Sequence, residues 1–352
     1  MSLPGTAPGP RPRATIRDVA ALAGVGIKTV SRVINHESNV SEQMRERVER
    51  AITALNFQPH LGAGTLRRGD RKTLTLGLLL ESVGNPFSAA INRAVEEVAS
   101  SRGTAVFAAS FDDDPVQERS LVRAFTRRRV DGLILTTISS DHGYLQIERE
   151  QGTPIVFVDR PPVGLLADAV VIDNAGTARR AVAHLVAHGH RRIVHFSGNP
   201  AISTTVERRR GFAEEMSAQG LDPRRYPVQQ SGITHPEREV EAEIEQLMAW
   251  SEPPTAIFAS QNLVTIAALR ALHRLGLAQS VALIGLDDVP LGDLIDPPLT
   301  VLAQDPAAIG ALAAQRLFAR LDGDSSPEQT IMVPTELIVR GSGEIPPPPD
   351  AG

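Results

Sequence analysis

The sequence predicts an α/β protein in which a small N-terminal helix-turn-helix module and a hinge precede a two-lobed core of parallel sheets. Three observations carry this expectation. Between residues 15 and 55, apolar positions recur at helical spacing around a glycine-containing turn. Beyond residue 73, continuous apolar runs of strand length alternate with helical patterns in two successive series. Charge is also unevenly placed: residues 1–72 hold 12 Lys+Arg against 6 Asp+Glu, whereas the rest of the chain holds 24 against 35. A net charge of −5 therefore hides a basic end of +6 and an acidic body of −11. That distribution suits a phosphate-binding end on a soluble body.

Residues 1–13, MSLPGTAPGPRPR, are Pro-rich and basic without an apolar run, and are expected to form a disordered arm and not a secretory signal. Residues 14–59 form the helical module. Thr15 and Asp18 have the form of an N-terminal cap, and Val19, Leu22 and Ala23 follow at helical spacing. Gly24-Val25-Gly26 makes the turn. In the second helix Val30, Val33 and Ile34 face inward while Lys28, Arg32 and Asn35 face elsewhere. Ser41 caps a third helix, whose Met44, Val48, Ala51, Ile52 and Leu55 close the small core. Lys28 and Arg32, one helical turn apart with Ile27 beside them, give the second helix a donor-rich face suited to the DNA major groove. For an isolated helix a merely solvated basic face is the commoner explanation.

Residues 60–72 form the hinge. Pro59 ends the third helix, and Gly62 and Gly64 each disfavour helix by about 1 kcal/mol, so a helix here is not expected to persist alone. The core spans 73–341. Strands are expected at 74–80, 104–110, 132–137 and 154–159, then at 169–172, 192–197, 255–260 and 281–285, with helices between them, one near 141–151. The first lobe is placed at about 73–164 and 304–328, the second at about 165–303 and 329–341. The Pro-rich end, 342–352, is expected to be a disordered tail. Ligands of open parallel sheets bind at the carboxyl ends of strands, where Asn85, Phe87, Asp159, Arg160, Gln261, Asn262, Asp287 and Asp288 fall; Arg208 precedes Gly211-Phe212. Singly, each is more often a cap or turn residue.

Residues 14–69 resemble the DNA-binding headpiece of the lactose-repressor/galactose-repressor (LacI/GalR) family of bacterial transcription regulators. The matching letters are Ile16, Asp18-Val19-Ala20, Ala23-Gly24-Val25, Thr29-Val30-Ser31-Arg32-Val33 and Asn35, continuing through Val40-Ser41, Arg45, Val48, Ala51, Leu55, Pro59, Ala63 and Leu66. Residues 73–341 resemble that family's effector-binding core, which shares the fold of periplasmic sugar-binding proteins. The resemblance implies a cytoplasmic homodimer, most simply a repressor, on double-stranded operator DNA, controlled by a small-molecule effector, a sugar or a relative of one. It implies base contacts from Ile27, Lys28 and Arg32 and backbone contacts from Thr15, Thr29, Ser31 and Asn35. Leu66 and Arg67 would enter the minor groove from a hinge that folds when two subunits meet on DNA. Effector contacts fall to Asn85, Phe87, Arg160, Arg208, Gln261 and Asp287, with Phe87 a platform and Arg208 and Asp287 gripping hydroxyls. Departures from the family pattern are Gln261-Asn262 in place of Asn-Asp, Met44 and Phe57 in place of a Thr and a Tyr, and His60 in place of an Asn.

Other chemistry finds little support. The absence of Cys removes disulfides and thiolate metal sites and fits a reducing cytoplasm. No apolar run is long enough to span a membrane. Gly24-Val25-Gly26-Ile27-Lys28-Thr29 has the wrong spacing for a phosphate loop and follows a helix where a strand is needed. His184 and His188 stand four apart as in a zinc protease, but Leu185 replaces the required Glu, so no metal, cofactor or catalytic residue is assigned. A transport receptor, a dinucleotide enzyme and an activator or architectural protein are the competing classes; the first would need a signal peptide and no headpiece, the second a glycine fingerprint after a strand.

Overall fold

The computed structural model describes residues 14–34, 37, 39–57, 72–226, 229–230 and 236–349. The chain divides into two compact units between Thr73 and Leu74. The expected arm, Asn35, His60 and the hinge positions Leu66 and Arg67 lie outside the described residues.

In the first unit, α1 (Ile16–Ala23), α2 (Ile27–Ile34) and α3 (Glu42–Leu55) enclose a small core of Val19, Ala20, Ala23, Val30, Val33, Val48, Ala51 and Phe57. Thr15 and Asp18 close a reciprocal capping box at the start of α1. Gly24 ends it in the left-handed conformation (φ 63°), which costs a glycine nothing. The Arg47 guanidinium then donates to the Ala23 carbonyl at 2.6 Å, tying α3 to the turn. Two expected core positions are corrected. Leu22 is 56% exposed and Met44 is 44% exposed, because the 3.6-residue period turns the 19–20–23 and 48–51 faces inward and leaves these two on the flanks.

In the second unit, β1 (Thr75–Leu80), α4 (Pro86–Ser101), β2 (Ala105–Ser110), α5 (Pro115–Arg127) and β3 (Gly132–Leu135) come first. A 3-10 turn (Gly143–Leu145) running into the short α6 (Gln146–Glu150), where one helix is expected, then leads to β4 (Ile155–Val158) and β5 (Asp168–Val171). The chain crosses to a second lobe with α7 (Asn174–Ala187), β6 (Ile193–Ser197), α8 (Ser203–Ala218), β7 (Gln229–Gln230), α9 (Pro236–Met248), β8 (Ala256–Ala259), α10 (Asn262–Arg274), β9 (Ala282–Leu286) and β10 (Thr300–Ala303). It returns for α11 (Pro306–Leu321) and β11 (Thr330–Met332), then ends in the second lobe with β12 (Glu336–Ile338).

The sheets have matching strand orders, β11-β5-β4-β3-β1-β2 and β12-β10-β9-β8-β6-β7. Every pairing is parallel except that of β12 with β10. The inner apolar strands are buried on both faces, as parallel sheets require, whereas the edge strand β2 is largely exposed, with Phe107 open to solvent. Close helix approach recurs in both lobes. A Cβ on Gly310 of α11 would lie 2.6 Å from the Ile91 carbonyl of α4, and one on Gly211 of α8 would lie 2.1 Å from the Ala175 carbonyl of α7.

The expected lobe boundaries are corrected on two counts. The 169–172 run belongs to the first sheet, since Val156 pairs with Asp168 and Val158 with Val170; the chain crosses only at about residue 173. Residues 330–332 likewise pair with β5 in the first sheet, not the second. A two-sided buried strand carries no mark of which sheet it joins. The tail is corrected too. Residues 342–347 pack on the second lobe: Ser342 is buried, its hydroxyl donates to the Leu283 carbonyl (2.6 Å), and Ile345 joins the α7–α8 core.

Candidate DNA interface and interlobe cleft

In the helical module, α2 buries Val30 and Val33 and turns Ile27, Lys28 and Arg32 outward. Thr29 and Ser31 are half-buried on its flanks. Arg32 lies 3.7 Å from Glu37, a half-exposed pairing that costs little to break. Lys28 and Arg32 thus present long cationic donors from one helical face, the geometry that reads guanine edges. Thr15 is engaged within α1: its hydroxyl donates to Asp18 Oδ2 at 2.7 Å and receives the Asp18 amide at 3.4 Å. Its role at phosphate would therefore pass through the helix N-terminus it caps.

In the core, the expected ligand residues gather between the lobes. Asn85, Phe87, Arg160, Arg208 and Gln261 line one narrow cavity of about 40 Å³. Asp287 lies outside that group and lines an adjoining cavity of about 480 Å³. Phe87, Asn262 and Gln304 form the shared wall. The narrow chamber has room for about one water, whereas the larger one matches the volume of small-molecule sites.

Each side chain is held by its strand or helix end. Asn85 caps α4, accepting from the Phe87 amide (3.0 Å), and accepts from Asn262 Nδ2 across the cleft at 2.6 Å. Arg160, 4% exposed, follows β4 and donates to the Thr137 carbonyl (2.9 Å) and to Glu81 (3.3 Å). Asp159 and Asp113 stand 3.5 and 3.9 Å from the same guanidinium. Arg208, buried on α8, donates to Asn174 (2.8 Å) and to the Ser260 carbonyl (2.9 Å). Asp287 accepts from Gln304 at 2.8 Å. Asp288 turns aside into a two-pronged pair with Arg340 (2.6 and 2.7 Å). Glu81, Asp113 and Gln304 were missed in the sequence. Glu81 and Asp113 also sit just past strand ends, a position whose only sequence signal is one shared with ordinary caps.

Burial drives the electrostatics. It pushes Glu81 up to about 7 against the opposing pull of Arg160, with Asp113 and Asp159 adding to the rise. It raises Asp113 as well, again opposed by Arg160. Asp287 is pushed up to about 6, with Arg208 and the Gln304 hydrogen bond working the other way. Burial also lowers Arg208, which Asp159 and Asp287 counteract. Carboxylates held near neutrality beside fixed guanidiniums give a wall of acceptors and donors suited to neutral hydroxyls.

The model of the bacterial regulatory proteins of the lacI family matches residues 15–60, and that of the periplasmic binding protein-like domain matches residues 182–343. The HTH-type transcriptional regulator PtxS of Pseudomonas plecoglossicida is 34% identical over 343 residues, covering 95% of this chain and 97% of its own length. The chain belongs to the lacI family of bacterial regulatory proteins. This lacI-family protein is thus a helix-turn-helix transcriptional regulator with an effector-type core. Its fold is similar to that of the Lac repressor dimer bound to operator and an anti-inducer (TM-score 0.82, 25% identity, 94% of this chain and 99% of that one). It is also similar to the transcriptional regulator CelR in complex with cellobiose (TM-score 0.67, 32% identity, 94% and 100%). Among the described residues no helix is long and apolar enough to cross a membrane.

Proposed function

We propose that this regulator represses transcription in the cytoplasm as a homodimer on a pseudo-palindromic operator, and that a neutral, polyhydroxylated small molecule bound between the lobes sets its affinity for DNA. Lys28 and Arg32 contact guanine edges, Ile27 packs against a neighbouring base, and Thr15, Thr29, Ser31 and Asn35 hold the phosphates. Leu66 and Arg67 enter the minor groove. One observation carries the ligand class. Glu81, Asp113, Asp159 and Asp287 face two guanidiniums, Arg160 and Arg208, and on the wall of the larger cavity Asp288 and Asp293 outnumber Arg340, an excess of acid that disfavours a phosphorylated ligand. The operator-bound Lac repressor and the cellobiose-bound CelR support the same division of labour.

The test is calorimetry of the full chain against neutral sugars, sugar phosphates and nucleosides, followed by operator titration with any ligand that binds. A neutral sugar should bind and shift operator affinity; tight binding confined to phosphorylated compounds would refute the ligand class. Arg32→Ala should weaken specific operator binding by about 1–3 kcal/mol and leave binding to random DNA nearly unchanged. Equal losses on both would remove Arg32 from base readout.

A further inference from the structure

Three side chains outside the cleft converge in the second lobe. His184 lies on the last turn of α7, His188 is the residue that ends it, and Glu344 comes from the segment after β12. Their nitrogen and oxygen atoms lie within 4.8 Å of one another. His184 Nε2 stands 2.5 Å from Glu344 Oε1, and the two imidazoles lie 4.4 Å apart, centre to centre.

The surroundings orient these groups as ligands. His188 Nδ1 is 2.9 Å from the His184 carbonyl, which can only accept; Nδ1 therefore carries the proton and Nε2 presents its lone pair. The other carboxylate oxygen of Glu344 accepts from the Thr300 hydroxyl at 2.7 Å, which fixes its plane. His190 Nε2 donates to the Ile345 carbonyl at 2.8 Å and holds the terminal segment in place. The C-terminal end of a helix carries partial negative charge, so a cation is favoured there.

We propose that His184, His188 and Glu344 form a site for a zinc-class divalent ion, with three protein ligands and one open position. Two imidazoles and one carboxylate suit zinc and its neighbours, not the all-oxygen preference of calcium or magnesium. A tetrahedral ion would set the ligand atoms about 3.4 Å apart. The His184–Glu344 hydrogen bond opens to admit it, the proton on His184 Nε2 is released to solvent so that this nitrogen can ligate, and His188 Nε2 swings inward. The bound ion replaces that hydrogen bond and clamps the terminal segment onto α7. The histidine pair alone is a weak signal because the third ligand lies over 150 residues away in sequence.

The test uses the full-length chain without a histidine tag, stripped with a chelator. Zn²⁺ is titrated in competition with a chromophoric chelator, and Co²⁺ uptake is read from its visible spectrum. One equivalent per chain should bind, and His188→Ala and Glu344→Gln should each weaken binding at least about tenfold. His188 is exposed, so His188→Ala should keep the wild-type far-ultraviolet circular dichroism. Zn²⁺ should also slow amide exchange across 342–345, the stretch before the prolines, in the wild type but not in His188→Ala. No uptake at about ten equivalents of metal, or equal affinity in wild type and His188→Ala, would overturn the site.

Discussion

The two lobes share a strand order but secure the same point of it by different chemistry. Asp168 opens β5 and Thr300 opens β10, equivalent strands in the two sheets. In the first lobe, the buried Asp168 carboxylate receives Arg320 at 2.7 and 3.2 Å and the Gln329 amide at 3.0 Å, with Arg316 paired at 2.9 Å. In the second, the buried Thr300 hydroxyl donates to Glu344 and accepts from the amides of Arg340 (3.0 Å) and Gly341 (3.2 Å). Both arrangements bind the last pass of the chain to its sheet, one with charge and one with hydroxyls. The topology thus dictates where a polar tether is needed and leaves its chemistry open.

Replacing Asp168 with Ala should break the comparison most severely. Arg320 would lose its carboxylate partner and Arg316 one of its two, the other being Asp324, in a buried setting, at a cost of about 3–5 kcal/mol measurable by urea denaturation. Burial by itself would raise the Asp168 pKa, but the hydrogen bonds from Arg320, the Gln329 amide and Arg316 outweigh it and hold the carboxyl below its ordinary value. Its contribution is therefore complete above the unfolded value near 3.8 and is lost as pH falls through the lower folded value. A loss in Asp168→Ala that stayed below about 1 kcal/mol would mean that the ionic cluster does not hold the first lobe together.

Thr300→Val sharpens the contrast from the other side. The change keeps shape and removes the hydroxyl, leaving two backbone amides with a lost acceptor, so about 1–3 kcal/mol is expected in the same denaturation assay. A loss equal to that of Asp168→Ala would erase the distinction between a charged and a neutral tether.

How far the sequence reveals these features depends on whether the information is local. The spacing of Val19, Ala23, Val30 and Val33 around Gly24 makes the three-helix module legible, because helix period and a left-handed turn are local properties. Polar residues just past apolar runs mark much of the cleft for the same reason, as Asn85, Arg160 and Gln261 show. The partner that a residue meets across the fold leaves no such mark. Strand β5 reads the same whichever sheet it enters, and the proline-rich end resembles a free tail although Ser342 and Glu344 are anchored to residues more than forty positions away. Glu81 and Gln304 become site residues only once Arg160 and Asp287 stand beside them.

The smallest effect separates two acids that occupy matching places. Asp159 and Asp287 follow β4 and β9, share a left-handed φ of 65°, and donate their amides to the equivalent carbonyls of Val170 and Leu302, both at 3.0 Å. Asn tolerates that backbone, so Asp287→Asn isolates the charge. With a folded pKa raised by burial to about 6, Asp287 holds a proton that the unfolded chain releases near 3.8. The wild type therefore loses stability as pH climbs through that window, and the variant does not. Asp287→Asn should match the wild type near pH 4, exceed it by about 1–2 kcal/mol at pH 7, and show no further gain above that. Glu81→Gln should follow the same course with its window extended to about pH 7. Melting temperatures across pH 4–8 decide the matter: a difference that shrank with rising pH would mean that the cleft stabilises these carboxylates, reversing the argument for a neutral ligand whose hydroxyls complete their hydrogen bonds.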